Sequence, residues 1–432
     1  MRIEEGGYDG YAYAYPHKTA YRPLDPPVPL KQAWEREDKQ NLFLYVHLPF
    51  CEMRCGFCNL FTTVQPGASL TSRTLAAIER QSAAVAAAVG PGDIAQAAFG
   101  GGTPSLLSEA EMAHLFDHLA SAWPVRWSEI PVSFEASPGT ITRAKLDLLR
   151  QLGVDRISLG VQSFVAEDLV ALKRPQPSGE LERACHEIKA ADFPVFNIDL
   201  IYGNEGQDAS RWQRSLNCAL EWRPEEIYLY PLYVGKLTNL DRSGKRPGEH
   251  RRELYRQARD FLRAAGYRQI SMRLFRRPEV TRKTDYCCQE DGMIGLGPGA
   301  RSYTRSLHYS TEYAVGQMGV KAIIEDFDSR NEADHCLASY GTWLDAEEQK
   351  RRFVIKSLLR AEGLLHAAFH RRFGSTLAES LPELQELLEL GLAYDLAGTM
   401  RLNDEGLALS DTIGPWLYSE TVTSSMDSYA LT

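Results

Sequence analysis

Three cysteines stand close together in the run His47-Leu48-Pro49-Phe50-Cys51-Glu52-Met53-Arg54-Cys55-Gly56-Phe57-Cys58. Their spacing is Cys-x₃-Cys-x₂-Cys, and it follows directly on the apolar run Leu42–Leu48. Thiolates are soft metal ligands, and three on one tight loop can each take an iron of a cubane cluster. The fourth iron is then left without a protein ligand. A molecule that offers a nitrogen and an oxygen together fills such a position, as the amino and carboxylate groups of S-adenosylmethionine do. An electron from the cluster can then cleave the adjacent sulfonium bond and release a 5′-deoxyadenosyl radical. Zinc is the alternative, but a structural zinc site takes four ligands and His47 is the one nearby candidate. The expectation is a [4Fe–4S] cluster on Cys51, Cys55 and Cys58. The other cysteines, Cys185, Cys218, Cys287, Cys288 and Cys336, are scattered apart from one adjacent pair. Eight cysteines diluted in 432 residues fit metal ligation in a reducing compartment better than a disulfide framework.

A ligand loop needs a rigid element behind it, and the sequence provides a series of them. Short apolar runs recur at Leu42–Leu48, Ile94–Phe99, Val132–Ala136, Ile157–Val161, Val195–Ile201 and Ile227–Leu232. Helical patterns lie between most of them, at Ser72–Val89, Glu109–Ala120, Arg143–Leu152 and Arg211–Glu221. Strands that alternate with helices predict βα units on a parallel sheet. The fold class expected is α/β, a partial parallel (β/α) barrel over residues 41–335. A Tyr-rich arm (1–40) precedes it, and a C-terminal helical or winged-helix-like domain (336–420) and a loose tail (421–432) follow. The formal net charge of −9 argues against a broad grip on nucleic acid. No apolar run approaches the roughly 20 residues of a membrane helix. The expected setting is cytoplasmic, with a small-molecule substrate and neither nucleic acid nor membrane as partner.

Further motifs follow in order: Tyr45-Val46-His47-Leu48-Pro49-Phe50-Cys51, Gly100-Gly101-Gly102-Thr103-Pro104-Ser105, Glu135-Ala136-Ser137-Pro138-Gly139, Leu159-Gly160-Val161-Gln162-Ser163-Phe164, Asn197-Ile198-Asp199-Leu200-Ile201-Tyr202-Gly203 and Gly295-Leu296-Gly297-Pro298-Gly299-Ala300. Glycines after a strand let a ligand approach the backbone closely, and Thr103 adds a hydroxyl. Glu135, Gln162 and Asp199 sit at or just beyond apolar strands, at the end of a parallel barrel that carries the active site. A carboxylate there can hold ribose hydroxyls, and Arg174 can hold a carboxylate. With these motifs the chain resembles the radical S-adenosylmethionine superfamily, in its oxygen-independent coproporphyrinogen III oxidase-like (HemN/HemW-like) branch. The resemblance implies that Gly101, Gly102, Thr103, Glu135, Gln162, Arg174 and Asp199 contact S-adenosylmethionine and that Tyr45 lies beside the sulfonium. It also implies an electron donor such as flavodoxin or ferredoxin.

The chain departs from its relatives in three places. Leu60 stands where the oxidase has a further cysteine, and Lys283-Thr284-Asp285-Tyr286-Cys287-Cys288 replaces the His-Asn-x-x-Tyr-Trp of the haem chaperones. Asn204-Glu205-Gly206-Gln207 replaces the usual Leu-Pro loop. These changes point away from porphyrins, towards C-methylation, cyclopropanation or a related radical reaction on a small biosynthetic intermediate. Some relatives use a second S-adenosylmethionine, for which Ile201, Tyr233, Gln289 and Tyr303 would line a pocket near Gly295–Ala300. Cys287 and Cys288, if extended, point to opposite faces, so at least one is a structural thiol. The other is a candidate quencher, hydrogen donor or transient covalent group, which leaves radical sulfur transfer or rearrangement as an alternative. A haem chaperone is the rival from a different class. The Tyr-rich stretch 8–22 reads as a strand on the barrel, or as a cover whose aromatic and basic groups close over a planar anion. Arg273, Arg276 and Arg277 read as an anion site or as a solvated face.

Overall fold

The computed structural model describes Ile3, Tyr8 and residues 14–177, 179–280 and 292–431. One sheet organises the chain. Its strands in chain order are β1 (Arg22–Pro29), β2 (Leu42–Leu48), β3 (Ile94–Gly101), β4 (Val132–Ala136), β5 (Arg156–Gln162), β6 (Val195–Tyr202) and β7 (Glu226–Pro231). There follow β8 (Arg268–Gln269), β9 (Leu274–Arg276), β10 (Met293–Leu296), β11 (Arg301–Tyr303), β12 (Leu307–Ser310) and β13 (Leu337–Trp343). In space they run β1-β13-β12-β11-β10-β2-β3-β4-β5-β6-β7-β9-β8. The stretch from β10 through β2 to β7 is parallel, and both flanks are antiparallel. Among the described residues the two edge strands do not pair, so the barrel is partial.

The crossovers are helical because the sequence caps them. Ser108 accepts from the Glu111 amide and Glu111 reaches back, a capping box for Glu109–Ala122. Thr142 and Asp208 cap Arg143–Gln151 and Ala209–Glu221 by the same side-chain-to-amide bond. These helices bury Leu115, Leu119, Leu146, Leu149, Trp212 and Leu216 against the outer face of the sheet. That face is made by alternate residues such as Leu44, Val46, Ile157, Leu159, Ile198, Leu200, Ile227 and Leu229. With a period of two, the intervening residues (Tyr45, Glu135, Ser158, Asp199 and Tyr228) fall on the inner face. The outer face builds the core and the inner face is left for chemistry.

A second core is formed by Val354, Ile355, Leu358, Phe369, Leu387, Leu402, Ile413 and Leu417. Its scaffold is helices such as Ala346–Leu358 and His366–Phe373 against a three-stranded sheet, Leu364–Leu365, Thr399–Leu402 and Ala393–Leu396. Tyr15 and Ala20 from the arm belong to this same core.

The arm and the tail differ from their sequence reading. Arg22–Pro29 is a strand that pairs with Leu337–Trp343, so the large sheet takes in residues on both sides of the expected 41–335 unit. The tail is not loose. Ser419 accepts from the Val422 amide at 3.0 Å and starts the helix Glu420–Asp427, Val422 is buried, and Arg22 Nη2 donates to Ser428 Oγ at 2.9 Å. Polar composition suggested disorder, but the helix has a cap and a cationic partner to hold it.

Candidate active site

The cysteine loop leaves the C-terminal end of β2 and is fixed from several sides. Phe50–Cys51 pairs in parallel with Thr63–Val64. The Gly56 amide donates to the Leu172 carbonyl at 3.0 Å, and the Gly56 carbonyl accepts from Leu240 at 2.9 Å. A Cβ on Gly56 would lie 2.7 Å from the Leu172 oxygen, so this residue is required by close approach. Below the loop, the glycine run after β3 is hydrogen-bonded to it: Gly102 donates to Leu48 O at 2.8 Å and Thr103 to Phe50 O at 2.7 Å. A Cβ on Gly102 would meet the Phe50 oxygen at 2.5 Å.

Two polar groups reach the sulfurs. Thr103 Oγ1 lies 3.7 Å from Cys51 Sγ, and Arg174 Nη1 lies 2.9 Å from Cys55 Sγ. Burial, with Cys58 as the next cause, pushes the Cys51 thiol up to about 12. Burial and then Cys55 also raise Cys58. Iron must therefore displace protons from this loop, as metal binding to thiols does in general. Among the described residues, no three His, Cys, Asp or Glu side chains converge as ligands of one metal ion. A cubane asks for no such convergence, because each thiolate binds its own iron.

The strand ends hold a second group of residues. The Gly101 amide donates to Glu135 Oε2 at 3.2 Å. Burial first, then the nearby Asp199, pushes the Glu135 carboxyl up to about 7. Asp199 accepts from Ser158 Oγ at 3.1 Å and from Asn197 Nδ2 at 2.9 Å, and burial raises it too. Two desolvated carboxyls on adjacent parts of one wall are prepared for hydroxyl donors. Gln162 sits where the β5–β6 register shifts, with φ 69°. A non-glycine residue in the left-handed region costs of order 1–3 kcal/mol and is found disproportionately at functional sites. Arg174 joins the two groups. Beyond Cys55, its Nη2 donates to Gly160 O at 2.8 Å and to Ser137 Oγ at 3.2 Å, while its buried Nε has no hydrogen-bond partner among the described residues.

The structure thus brings Cys51, Cys55, Cys58, Gly101, Gly102, Thr103, Gln162 and Arg174 to the C-terminal ends of the parallel strands, with Tyr45, Glu135 and Asp199 on the inner face beside them. Tyr45 is half-buried, with its hydroxyl 3.5 Å from His47 Nδ1. Ile201 is packed with Leu172, Leu232 and Leu240, and the Tyr233 hydroxyl donates to Asp411. Cys287, Cys288 and Gln289 lie outside the described residues. The three arginines of 273–277 are ion-paired, Arg273 with Asp411, Arg276 with Glu226, and Arg277 with Glu279 and Glu225. Sequence reasoning missed Ser158 and Asn197, which hold Asp199. Asn197 precedes Asp199 by two residues on the same strand face, which was the available signal, whereas Ser158 stands opposite Asn197 on the neighbouring strand.

The fold and the site define a radical S-adenosylmethionine protein. A family profile described as "Radical SAM superfamily" matches residues 45–218, and one described as "HemN C-terminal domain" matches 344–409. "Heme chaperone HemW" of Mycobacterium tuberculosis is 33% identical over 277 residues, 61% of this chain and 70% of that protein. "Heme chaperone HemW" of Bacillus subtilis is 26% identical over 85% of this chain and 97% of its own length. "Oxygen-independent coproporphyrinogen III oxidase" of Escherichia coli is 26% identical over 90% and 88%. The solved structure of coproporphyrinogen III oxidase (HemN) from Escherichia coli shares the fold, with TM-score 0.75, 22% identity and 93% of each chain covered. The chain belongs to the radical S-adenosylmethionine superfamily, in the branch that contains HemW and oxygen-independent coproporphyrinogen III oxidase. The cofactors of this class are a [4Fe–4S] cluster and S-adenosylmethionine. Three thiols on a fixed loop, with donors to two of the sulfurs, fit the cluster.

Proposed function

We propose that Cys51, Cys55 and Cys58 hold the cluster and that S-adenosylmethionine lies across the strand ends. In this reading Glu135 and Asp199 take its ribose hydroxyls. Gly101, Gly102, Thr103, Gln162 and Arg174 surround the remainder, and Tyr45 stands beside the sulfonium. When bound, the cluster supplies the electron that cleaves the sulfonium and yields a 5′-deoxyadenosyl radical. The residues' own work is to orient. Arg174 ties the loop to the strand end, and the glycines let the nucleoside approach the backbone. The observation that most supports this is the single guanidinium that reaches both Cys55 Sγ (2.9 Å) and Gly160 O (2.8 Å). A flavodoxin or ferredoxin in the cytoplasm is the electron donor, and the substrate is a small molecule.

For the ligand class, a haem- or porphyrin-type molecule has more support than methyl or methylene transfer. Relatives named for haem or coproporphyrinogen align over most of the chain. Among the described residues no observation favours C-methylation, cyclopropanation, sulfur transfer or a second S-adenosylmethionine at Ile201 and Tyr233; Gln289 lies outside them. The tetrapyrrole reading thus takes precedence over the departures at Leu60 and Lys283–Cys288.

Anaerobic reconstitution tests the cluster. About one [4Fe–4S] per chain is expected by iron and sulfide analysis and by EPR of the reduced protein. Ala in place of Cys51, Cys55 or Cys58 should abolish the signal, and a full cluster in any of the three variants would sink the assignment. Anaerobic haem titration tests the ligand. A stoichiometric Soret shift is expected. No shift, together with methyl label passing from S-adenosylmethionine to a product, would return methyl transfer to the lead.

A further inference from the structure

Asp199 is the one residue of β6 that is not buried. Every other position from Val195 to Tyr202 is closed off, so this carboxylate alone of its strand meets solvent, on the inner face. Its neighbours across the sheet are Gly160 on β5 and Tyr228 on β7. Gly160 has no side chain to crowd it. One step lower, Glu135, Ser158, Asn197 and Glu226 stand in register on the same face. Two of them close a ring with Asp199. Asn197 Nδ2 donates to Ser158 Oγ at 2.8 Å and to Asp199 Oδ1 at 2.9 Å, and Ser158 Oγ donates to Asp199 Oδ2 at 3.1 Å. Both supporting side chains are buried. The direction of the ring follows from its protons. The amide has two and spends both, and the hydroxyl has one, which goes to the carboxylate. The opposite amide orientation would set the Asn197 oxygen against a carboxylate oxygen.

We propose that Ser158 and Asn197 are positioning residues that hold Asp199 as a two-oxygen acceptor for a vicinal diol, and so make the site selective for an intact ribose. This rests on the S-adenosylmethionine reading and deepens it, from a carboxylate beside the sugar to the groups that aim it. Each oxygen of an ionised carboxylate accepts about two hydrogen bonds. One on each is taken by the supports, so one on each remains for the ligand. Two adjacent hydroxyls on one sugar supply the two donors that this arrangement asks for. The supports also oppose the effect of desolvation. Burial raises the Asp199 carboxyl, the bonds from Asn197 and Ser158 act against that rise together with Arg156, and Glu226 adds to it. A cluster deeper in the sheet provides the contrast. Arg156 donates to Glu226 at 2.8 Å and to Ser133 at 2.9 Å, Arg276 donates to Glu226 at 2.8 Å, and all four side chains are buried. No member of that cluster opens to a ligand. Ser158 and Asn197 instead send their protons to the one group of the strand that does.

Equilibrium dialysis against the reconstituted holoenzyme tests this role, with S-adenosylmethionine and its 2′-deoxy and 3′-deoxy analogues as probes. The cluster is kept oxidised so that no ligand is cleaved. Wild type should bind S-adenosylmethionine roughly tenfold more tightly than either analogue, the worth of one hydrogen bond to a charged group. Ser158→Ala and Asn197→Ala should weaken S-adenosylmethionine by roughly fivefold and the analogues by less than about twofold, so that the selectivity collapses. Ser158→Thr keeps the hydroxyl and should restore most of it. Supports that served only the fold would move all three ligands alike, and that result overturns the proposal. Unchanged S-adenosylmethionine affinity in both variants overturns it equally. Ser158→Ala removes a single oxygen and carries the test alone if Asn197→Ala does not fold. Iron per chain and the urea midpoint, measured on the same samples, show which variants are intact. A wild type that binds all three ligands equally strikes the placement of Asp199 on the ribose, and the proposal with it. A wild type that carries its cluster yet binds no S-adenosylmethionine strikes the wider reading as well.

Discussion

At the scale of single residues, the site works by controlling which groups are desolvated and what they touch. Arg174 is the clearest case, because one guanidinium touches a cluster sulfur, a strand-end carbonyl and Ser137. Arg174→Met should lower iron retention on reconstitution at least twofold while the far-UV spectrum stays unchanged, measured as iron per chain after desalting. Glu135 makes a different prediction. Its carboxyl is raised from 4.5 to about 7, so the folded, cofactor-free protein holds a proton there that the unfolded chain has already lost. Folded protein binds more protons in that window, hence this group's contribution is fully present below about 4.5 and is lost as pH rises through about 7. Glu135→Gln should flatten that part of the stability profile, read as urea midpoints across the window. An unchanged slope would mean that the carboxyl is better hydrated than the fold implies.

At the scale of elements, the strand-loop junctions do the positioning. The three atoms nearest to a Cβ on Gly102 would all be backbone, the Leu48 oxygen at 2.8 Å among them. Gly102→Ala therefore has no flexible neighbour to push aside. It should cost about 1–3 kcal/mol in denaturant titration and loosen the cysteine loop from its floor. Most of this arrangement was legible in the sequence. The apolar runs marked β2 to β7, and the cysteine spacing, the glycines and the three polar strand-end residues all fell at one end of them. What stayed hidden depended on long-range partners. No local pattern joins Arg22–Pro29 to Leu337–Trp343, since antiparallel pairing over that distance is set by the tertiary fold. Arg273, Arg276 and Arg277 looked like one cationic patch because their acids, Asp411, Glu226, Glu225 and Glu279, mostly lie far away in the chain.

At the scale of the whole molecule, the C-terminal domain is joined to the large sheet by buried polar contacts. Asp411 accepts from both Arg273 and Tyr233, and the Arg273–Asp411 pair is almost wholly buried, with side chains 7% and 1% exposed. Asp411→Asn would leave a desolvated guanidinium with a weaker partner. A loss approaching the 3–5 kcal/mol typical of broken buried pairs is expected from chemical unfolding. Glu405→Gln, which disturbs the half-exposed Arg256 pair on the same boundary, should cost less than about 1 kcal/mol. Equal effects from the two substitutions would mean that the boundary is wet throughout. Among the described residues no helix is long and apolar enough to cross a membrane.

Tyr15 has a kinetic consequence for how such a protein is assembled. Its hydroxyl bonds to Glu348 and also accepts from the Ser419 amide, a partner 404 residues further along the chain. Closing so long a loop is entropically costly, so contacts of this kind form late. The parallel strands β2 to β6, which position the cysteine loop, each have a partner in the next strand along the sequence and do not need to wait. The order of events therefore leaves an interval in which the cysteine loop is formed while the arm is still detached, and iron has open access to it. Pulse-labelling hydrogen exchange during refolding should show amides of β2 to β6 protected before those of residues 14–21. If the arm is protected first, it closes over the loop before the strands have set, and metal must enter through a finished structure.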